Sequence, residues 1–150
     1  MSVSSHRRGS TSARLPRAGV DPIACIEDAL AMFELQRCHP IRAETLAMFL
    51  DSSGCGSVLV TVTDTVAPAQ LLEVAEVMAR LGGARPEISG LVLATVRPRY
   101  GLQTGDDELW TRAVEIVEAN GLDLIDWFVI SRHGTSSPRE LLGQPSRWAR

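Results

Sequence analysis

The stretch Ile88-Ser-Gly-Leu-Val-Leu-Ala-Thr-Val96 decides the fold. It is a short, nearly continuous apolar run, and helix- and strand-breaking residues stand close to both of its ends. A run of this kind is typical of a β-strand that is buried on both faces of a sheet. Helices must then cover both faces, so the sequence predicts an α/β fold.

Patterns typical of helices and strands flank this run. Asp21-Pro22 suits the N-cap and the first position of a helix, and His39-Pro40 ends that helix. The other predicted elements are an antiparallel pair of strands (45–50 and 58–62), helices 68–83 and 104–120, a strand 122–130 and a helical turn 137–143. The order α-β-β-α-β-α-β predicts a single three-layer domain, with a mixed central sheet and helices on its faces.

The composition bounds the class of protein. The 150 residues are 45% hydrophobic and 22% charged, as in an ordinary globular domain, and the formal net charge of −3 argues against nucleic-acid binding over the whole surface. Cys25, Cys38 and Cys55 are too widely spaced for a disulfide framework or a zinc knuckle. No apolar run is long enough to span a bilayer, and no secretory signal is found. We therefore expect a cytoplasmic protein without membrane contact.

Residues 1–19 are rich in serine, arginine and glycine and contain no acidic residue. Such a composition predicts a disordered tail in front of a domain formed by residues 20–150. The arginines of this tail are candidates for contact with RNA, DNA or an acidic partner: Arg7, Arg8, Arg14 and Arg17. The composition is also similar to that of an organellar transit peptide, and a solvated tail without a specific task is the simplest interpretation.

Four stretches resemble the JAB (MPN, JAMM) domain, and within it the RadC-like branch. They are Glu44-Thr-Leu-Ala-Met-Phe-Leu-Asp51, Leu91-Val-Leu-Ala-Thr-Val-Arg-Pro-Arg-Tyr-Gly101, Gly121-Leu-Asp-Leu-Ile-Asp-Trp-Phe-Val-Ile130 and Ser137-Pro-Arg-Glu-Leu-Leu-Gly143. The last two resemble RadC-type sequences most, in which L-D-H-hydrophobic-V-I is followed by S-hydrophobic-R-E. The resemblance covers residues 44–143, about two thirds of the chain.

The resemblance implies a degenerate metal site. Active members hold zinc with two histidines of an H-x-H-P loop and the aspartate of S-x-x-D, and a glutamate on an earlier strand is the general base. Here Thr95-Val96-Arg97-Pro98 stands at H-x-H-P. The positions implied for the remaining parts are Thr104 with Asp107 or Asp106 for S-x-x-D, and Glu44 as a vestigial general base. Since both histidines are missing, we expect neither a metal nor another cofactor.

Two interpretations of these positions remain open. In the sharper one, Arg97 is a built-in cation in place of the metal and pairs with Asp107 or Asp106, because its planar guanidinium matches a carboxylate. In the simpler one, Thr104 and Asp107 cap a helix, Glu44 is solvated, and Arg97 forms an ordinary surface ion pair.

Three functions compete. The first is a non-catalytic protein-interaction module with an unidentified protein partner, which predicts an exposed apolar patch near Trp148 or Tyr100. The second is a hydrolase or peptidase with an atypical site around Glu44, Arg97 and Asp107. The third is association with nucleic acid through the N-terminal arginines. Trp127, on a strand, is predicted to pack in the core, and Trp148 either anchors a partner or folds back onto the domain.

Overall fold

The structure is a computed structural model and describes residues 15–148. These residues form four helices and five strands in the order α1 (Ile26–Gln36), β1 (Glu44–Asp51), β2 (Gly56–Thr63), α2 (Gln70–Gly83), β3 (Ile88–Val96), α3 (Asp106–Ala119), β4 (Asp123–Ser131), β5 (Gly134–Ser136) and α4 (Pro138–Leu141). The α/β class and the antiparallel strand pair at the beginning of the sheet are confirmed.

The strands form one mixed sheet in the order β2-β1-β3-β4-β5. Strand β1 pairs antiparallel with both β2 and β3, whereas β3 and β4 are parallel. The short strand β5, which the sequence did not predict, returns antiparallel to the end of β4. The carboxyl ends of β3 and β4 therefore lie side by side, at the edge where ligand sites of α/β proteins are usually built.

Helices cover both faces of the sheet, as the buried strand β3 predicted. Helices α2 and α3 pack on one face, against a core that includes Phe49, Leu91 and Trp127. Helix α1 packs on the opposite face, where Phe33 lies in a second core with Leu46. Neighbouring residues of a strand point to opposite faces, so a shift of one position decides which core a side chain enters.

The first helix begins later than predicted. Asp21-Pro22 is not its N-terminus, because the chain here is extended along the hairpin loop: Pro22 forms a β-bridge with Cys55, and the amide of Ile23 donates to the carbonyl of Gly54 at 2.8 Å. Helix α1 starts only at Ile26. A tertiary contact has overridden a favourable local N-cap signal.

Most of the predicted tail lies outside the described residues, including Arg7, Arg8 and Arg14. Its last part is described: Gly19 donates its amide to the carbonyl of Gly56, and Arg17 forms an exposed ion pair with Asp21 at 2.9 Å. Within residues 15–148, every helix is too short or too polar to cross a membrane.

Candidate functional site

Arg97 and Asp106 form a buried ion pair at the carboxyl end of β3. Arg97 directly follows this strand, and Asp106 is the first residue of α3. The two terminal guanidinium nitrogens of Arg97 donate to the two oxygens of Asp106, Nη1 to Oδ2 at 2.7 Å and Nη2 to Oδ1 at 2.9 Å. The side chains are only 10% and 4% exposed. This two-pronged geometry in a nearly dry environment is the strongest arrangement that these groups can adopt.

The loop between β3 and α3 is folded around the same pair. Arg97 Nη1 also donates to the carbonyl of Gly101 at 3.2 Å, and the amide of Gln103 donates to Asp106 Oδ2 at 2.6 Å. Gly105 has a φ of 96°, a left-handed conformation that glycine adopts at little cost, and it lets the chain turn into α3. The pair therefore ties the strand, the loop and the helix together.

Trp127 and Thr95 complete the walls of this site. The indole Nε1 of Trp127 donates to Thr95 Oγ1 at 3.0 Å, and the guanidinium carbon of Arg97 lies 5.8 Å from the centroid of the Trp127 ring. That separation is within the range of a cation–π contact. Trp127 is fully buried, so its predicted place in the core is confirmed.

Glu44 does not join this site. It is paired with Val96 across the sheet, so its side chain lies on the α1 face, whereas Thr95 lies on the α2 and α3 face beside Thr45. Glu44 is fully buried, and its Oε1 accepts a hydrogen bond of 2.7 Å from the amide of Cys38. Its Oε2 has no hydrogen-bond partner among the described residues. A carboxylate on the far face of the sheet cannot act on a group held near Arg97, so the structure does not bring Glu44, the expected vestigial base, to Thr95 and Arg97.

Thr104 and Asp107 also stand apart from the pair, since both side chains are exposed. The predicted capping box is wrong: the N-cap of α3 is Gly105, which makes no side-chain cap hydrogen bond. The carboxylate that turns inward and pairs with Arg97 is Asp106, not Asp107. The ordinary surface ion pair expected in the simpler interpretation of Arg97 is wrong as well, because the pair is buried.

These residues do not fit a zinc ion. Thr95 is a poor ligand, Arg97 is a permanent cation, and both oxygens of Asp106 already accept hydrogen bonds from Arg97. His39 and His133 are exposed. Within residues 15–148 no three histidine, cysteine, aspartate or glutamate side chains are grouped as metal ligands would be.

A third buried carboxylate, Asp126, lies inside an otherwise mostly apolar strand. It lies in β4, is fully buried, and accepts hydrogen bonds from five donors. The donors to Oδ1 are the Ser137 hydroxyl (2.8 Å) and the Trp127 amide (3.0 Å), and the donors to Oδ2 are Arg139 Nη2 (3.0 Å), Arg139 Nε (3.3 Å) and Trp148 Nε1 (3.3 Å). Asp126 thus fastens the end of the described chain to the central sheet.

The signal for this network was present in the sequence. A charged residue inside an apolar strand needs a partner, because burying an isolated charge is very costly. The partners are supplied by Ser137-Pro-Arg139, one of the stretches that carry the RadC-like resemblance. Trp148 is 9% exposed, so of its two predicted roles the structure places it folded back onto the domain.

A groove of about 570 Å³ lies at the other end of the sheet, away from Arg97. Its lining includes the end of β1, the beginning of β4 and Trp148. The charged side chains around it are Asp51, Glu118, Asp123 and Arg147. Arg147 is paired with Glu118 at 3.1 Å, and Asp51 Oδ1 accepts amide hydrogen bonds from Ser53 and Cys55. These three contacts hold the local fold.

Comparison with protein-family models and with curated protein sequences finds no match for this chain.

Proposed function

We propose that this chain is a degenerate RadC-like JAB domain that has exchanged the zinc site for an ion pair and serves in the cytoplasm as a protein-interaction module. The observation that carries the proposal is the buried pair of Arg97 and Asp106. Its two members stand where the resemblance to the family implies a zinc-binding histidine and the zinc-binding aspartate. The five-stranded mixed sheet with helices on both faces is compatible with such a domain.

An ion pair can take over the structural part of the metal's task. Zinc joins the loop after one strand to the next helix by neutralising a carboxylate, and the guanidinium of Arg97 does the same for Asp106 with two directed hydrogen bonds. It does not supply the chemical part, because an arginine has no open coordination position and does not lower the pKa of a bound water. A fold held in this way keeps its shape without the means to hydrolyse a bond.

The placement of the other charged groups favours binding over catalysis. Catalytic acids and bases have to reach a common substrate, yet Glu44 and Asp106 lie on opposite faces of the sheet. The buried carboxylate of Asp126 is surrounded by donors that leave no room for a reacting group. By contrast, large apolar side chains are exposed on several elements, among them Val58, Val77, Tyr100 and Leu141. Of these, Val58 lies next to the exposed Leu59 in β2 at the edge of the sheet, a position that suits contact with another protein.

The decisive experiment restores the histidines. The double substitution Thr95→His and Arg97→His recreates the H-x-H-P sequence on the face that holds Asp106. If the chain descends from a zinc-binding JAB domain, the purified double variant should carry about one zinc ion per chain in elemental mass spectrometry, whereas the wild-type chain should carry close to none. Adding Asp106→Asn to the double variant is the matched control and should remove the bound zinc.

The outcomes separate the proposal from its alternatives. A double variant that folds, as judged by circular dichroism, but takes up no zinc would argue against the JAB origin of the site. Zinc in the wild-type chain itself would overturn the exchange of metal for ion pair. Purification without a chelating affinity tag is essential, since a polyhistidine tag binds zinc by itself.

A further inference from the structure

Strand β2 forms an open edge of the sheet. Its inner side pairs with β1, and its outer side pairs with no other strand in the part of the chain that the structure describes. The other edge is protected: β5 is only three residues long, and Arg139 and Arg147 after it bind to Asp126 and to the carbonyl of Leu124 in β4. The β2 edge starts with a contact, because the carbonyl of Gly56 accepts a hydrogen bond of 3.0 Å from the amide of Gly19. Beyond this first residue, β2 presents its outer backbone groups without a strand partner among the described residues.

The sequence of β2 contains neither the charged residues nor the proline that usually protect an edge strand. Soluble proteins guard exposed edges with charged residues, proline, bulges or short strands, because unpaired amides and carbonyls invite another strand. Gly56-Ser-Val-Leu-Val-Thr-Val-Thr63 contains eight residues, none of them charged and none a proline. The only irregularity in its pairing with β1 lies at its first end, opposite Phe49 and Leu50.

Apolar side chains on β2 would gain cover from a neighbouring strand. Val58, Val60 and Val62 continue the α2 face of the sheet, since they lie opposite Phe49, Ala47 and Thr45. Val58 is 52% exposed, and Leu59, on the α1 face, is 37% exposed. A strand added here would extend both apolar faces outward.

We propose that β2 pairs antiparallel with β2 of a second copy of this chain, about a two-fold axis near Val60. This register places Val58 opposite Val62 of the second copy and Leu59 opposite Thr61. The paired strands then contain no charged residue, and each face of the sheet stays continuous. The two five-stranded sheets then form one sheet across the dimer. Closed two-fold dimers of this kind leave no further edge of β2 free, which prevents growth into fibres.

Charges at the two ends of β2 fit this antiparallel arrangement. Arg17 lies with Ser57, Val58 and Leu59 around a small apolar groove at the beginning of β2, and Asp64 directly follows its end. Antiparallel pairing brings Arg17 of each copy beside Asp64 of the other, whereas parallel pairing would bring like charges together. Because Arg17 already bonds to Asp21 at 2.9 Å, we expect this contact to orient the copies more than to strengthen the dimer.

This inference gives the proposed interaction role a partner and so rests on it. The two are nevertheless tested separately, because the zinc-restoring substitutions lie on β3 and beyond it, and the dimer contact lies on β2. Failure to dimerise leaves the origin of the Arg97–Asp106 pair untouched. Failure to bind zinc in the double variant leaves the dimer untouched.

The test is sedimentation velocity of the full chain over a range of micromolar concentrations, with Val58→Lys and Val77→Lys as a matched pair. Both valines are 52% exposed, but Val77 lies on α2. We expect the wild-type chain to dimerise and Val58→Lys to raise the dissociation constant about tenfold, because a cross-strand pair of valines is lost twice in the symmetric dimer. Val77→Lys should leave the dissociation constant unchanged.

Thr61→Lys tests the same edge from its other face, at an exposed position, in case Val58→Lys lowers the thermal stability of the monomer. It should weaken the dimer in the same way. A wild-type chain that is monomeric at every concentration would overturn the proposal. The edge of β2 would then be left for another partner, such as residues 1–14 or a different protein. A dimer that is weakened by Val77→Lys, or by none of the three substitutions, would overturn it too, since the contact would lie elsewhere.

Discussion

The guanidinium of Arg97 donates two hydrogen bonds, 2.7 and 2.9 Å long, to the two carboxylate oxygens of Asp106. This bidentate pair lies at the edge of the sheet, where β3 ends and α3 begins. A buried pair of this kind is costly to assemble, because both charges leave water. Its main effect is to specify one arrangement of the intervening loop, since any other arrangement would leave a charge buried alone. The pair thus fixes the loop between β3 and α3 in one arrangement.

Removing one member of the pair should lower the free energy of unfolding much more than removing both members. We expect Arg97→Met to lower the free energy of unfolding by about 3 kcal/mol, because the carboxylate of Asp106 is left buried without its cation. The double substitution Arg97→Met with Asp106→Leu should recover most of that loss, since it leaves no charge behind. Urea denaturation followed by circular dichroism measures both values.

The matched control for this pair is the exposed ion pair of Arg80 and Glu76 on α2, with side chains that are 72% and 43% exposed. Arg80→Met should change the free energy of unfolding by less than about 0.5 kcal/mol, because water solvates Glu76 when the arginine is gone. Equal effects of Arg97→Met and Arg80→Met would contradict the structural role of the buried pair.

The free energy of unfolding should be equally sensitive to a change at the carboxylate of Asp126. Asp126→Asn replaces one acceptor oxygen with an NH₂ group and removes the charge that faces the buried Arg139, so we expect a loss of about 3 kcal/mol in the free energy of unfolding. The end of the described chain should also loosen, with faster trypsin cleavage after Arg139 and Arg147. Asp123→Asn, at an exposed position of the same strand, is the control and should cleave like the wild-type chain.

The sequence predicted the architecture well because the fold depends on hydrophobic periodicity. The nearly continuous apolar run of β3 required a sheet covered on both faces, and the cores around Phe33 and Trp127 meet that requirement. What the sequence could not predict is where tertiary contacts override local signals. Thr104 and Asp107 have the form of a capping box, yet Gly105 begins α3 and Asp106 turns inward to Arg97.

The candidate site was predicted only in part, for the same physical reason. The pairing of Arg97 with Asp106 or Asp107 was predicted from the positions that the resemblance implies and from the match between a guanidinium and a carboxylate. The choice between the two aspartates depends on which one the helix turns inward. The face on which Glu44 lies depends on the register of β1, where one residue reverses every side chain. The network around Asp126 joins residues up to 22 positions apart, which no local pattern encodes.

Close packing between α2 and the sheet makes Gly82 sensitive to a single methyl group. A Cβ at Gly82 would lie 2.7 Å from Leu122 Cδ1 and 2.8 Å from Phe49 Cε1, both closer than van der Waals contact permits. Alanine is favoured over glycine in a helix by about 1 kcal/mol, but overpacking costs about 1–3 kcal/mol. Gly82→Ala should therefore lower the melting temperature, and a rise would show that the ring of Phe49 moves aside freely.

The three cysteines should differ in their reactivity toward a thiol reagent. Cys55 is buried, whereas Cys25 and Cys38 are partly exposed. Burial raises the pKa of the Cys55 thiol, and the nearby carboxylates of Asp51 and Asp21 raise this pKa further. A raised pKa means that less of the reactive thiolate is present at neutral pH, so Cys55 loses both accessibility and nucleophilicity.

We expect Cys25 and Cys38, which are partly exposed, to react with Ellman's reagent at neutral pH faster than Cys55, which reacts at a rate limited by local opening. Against a backbone hydrogen bond at Asp28 that lowers it, partial burial and the side chains of Glu27 and Asp28 also raise the pKa of the Cys25 thiol, so Cys25 should react more slowly than Cys38. In denaturing urea all three should react at one rate. Because the pKa of the Cys55 thiol is higher in the folded chain than in the unfolded chain, the neutral thiol adds to the free energy of unfolding. This stabilisation is complete below the ordinary thiol pKa of about 8.5 and is lost as the pH rises through the higher pKa of the folded chain. Cys55→Ala should abolish the slow phase alone, and a slow phase that persists in this variant would assign it to Cys25 or Cys38.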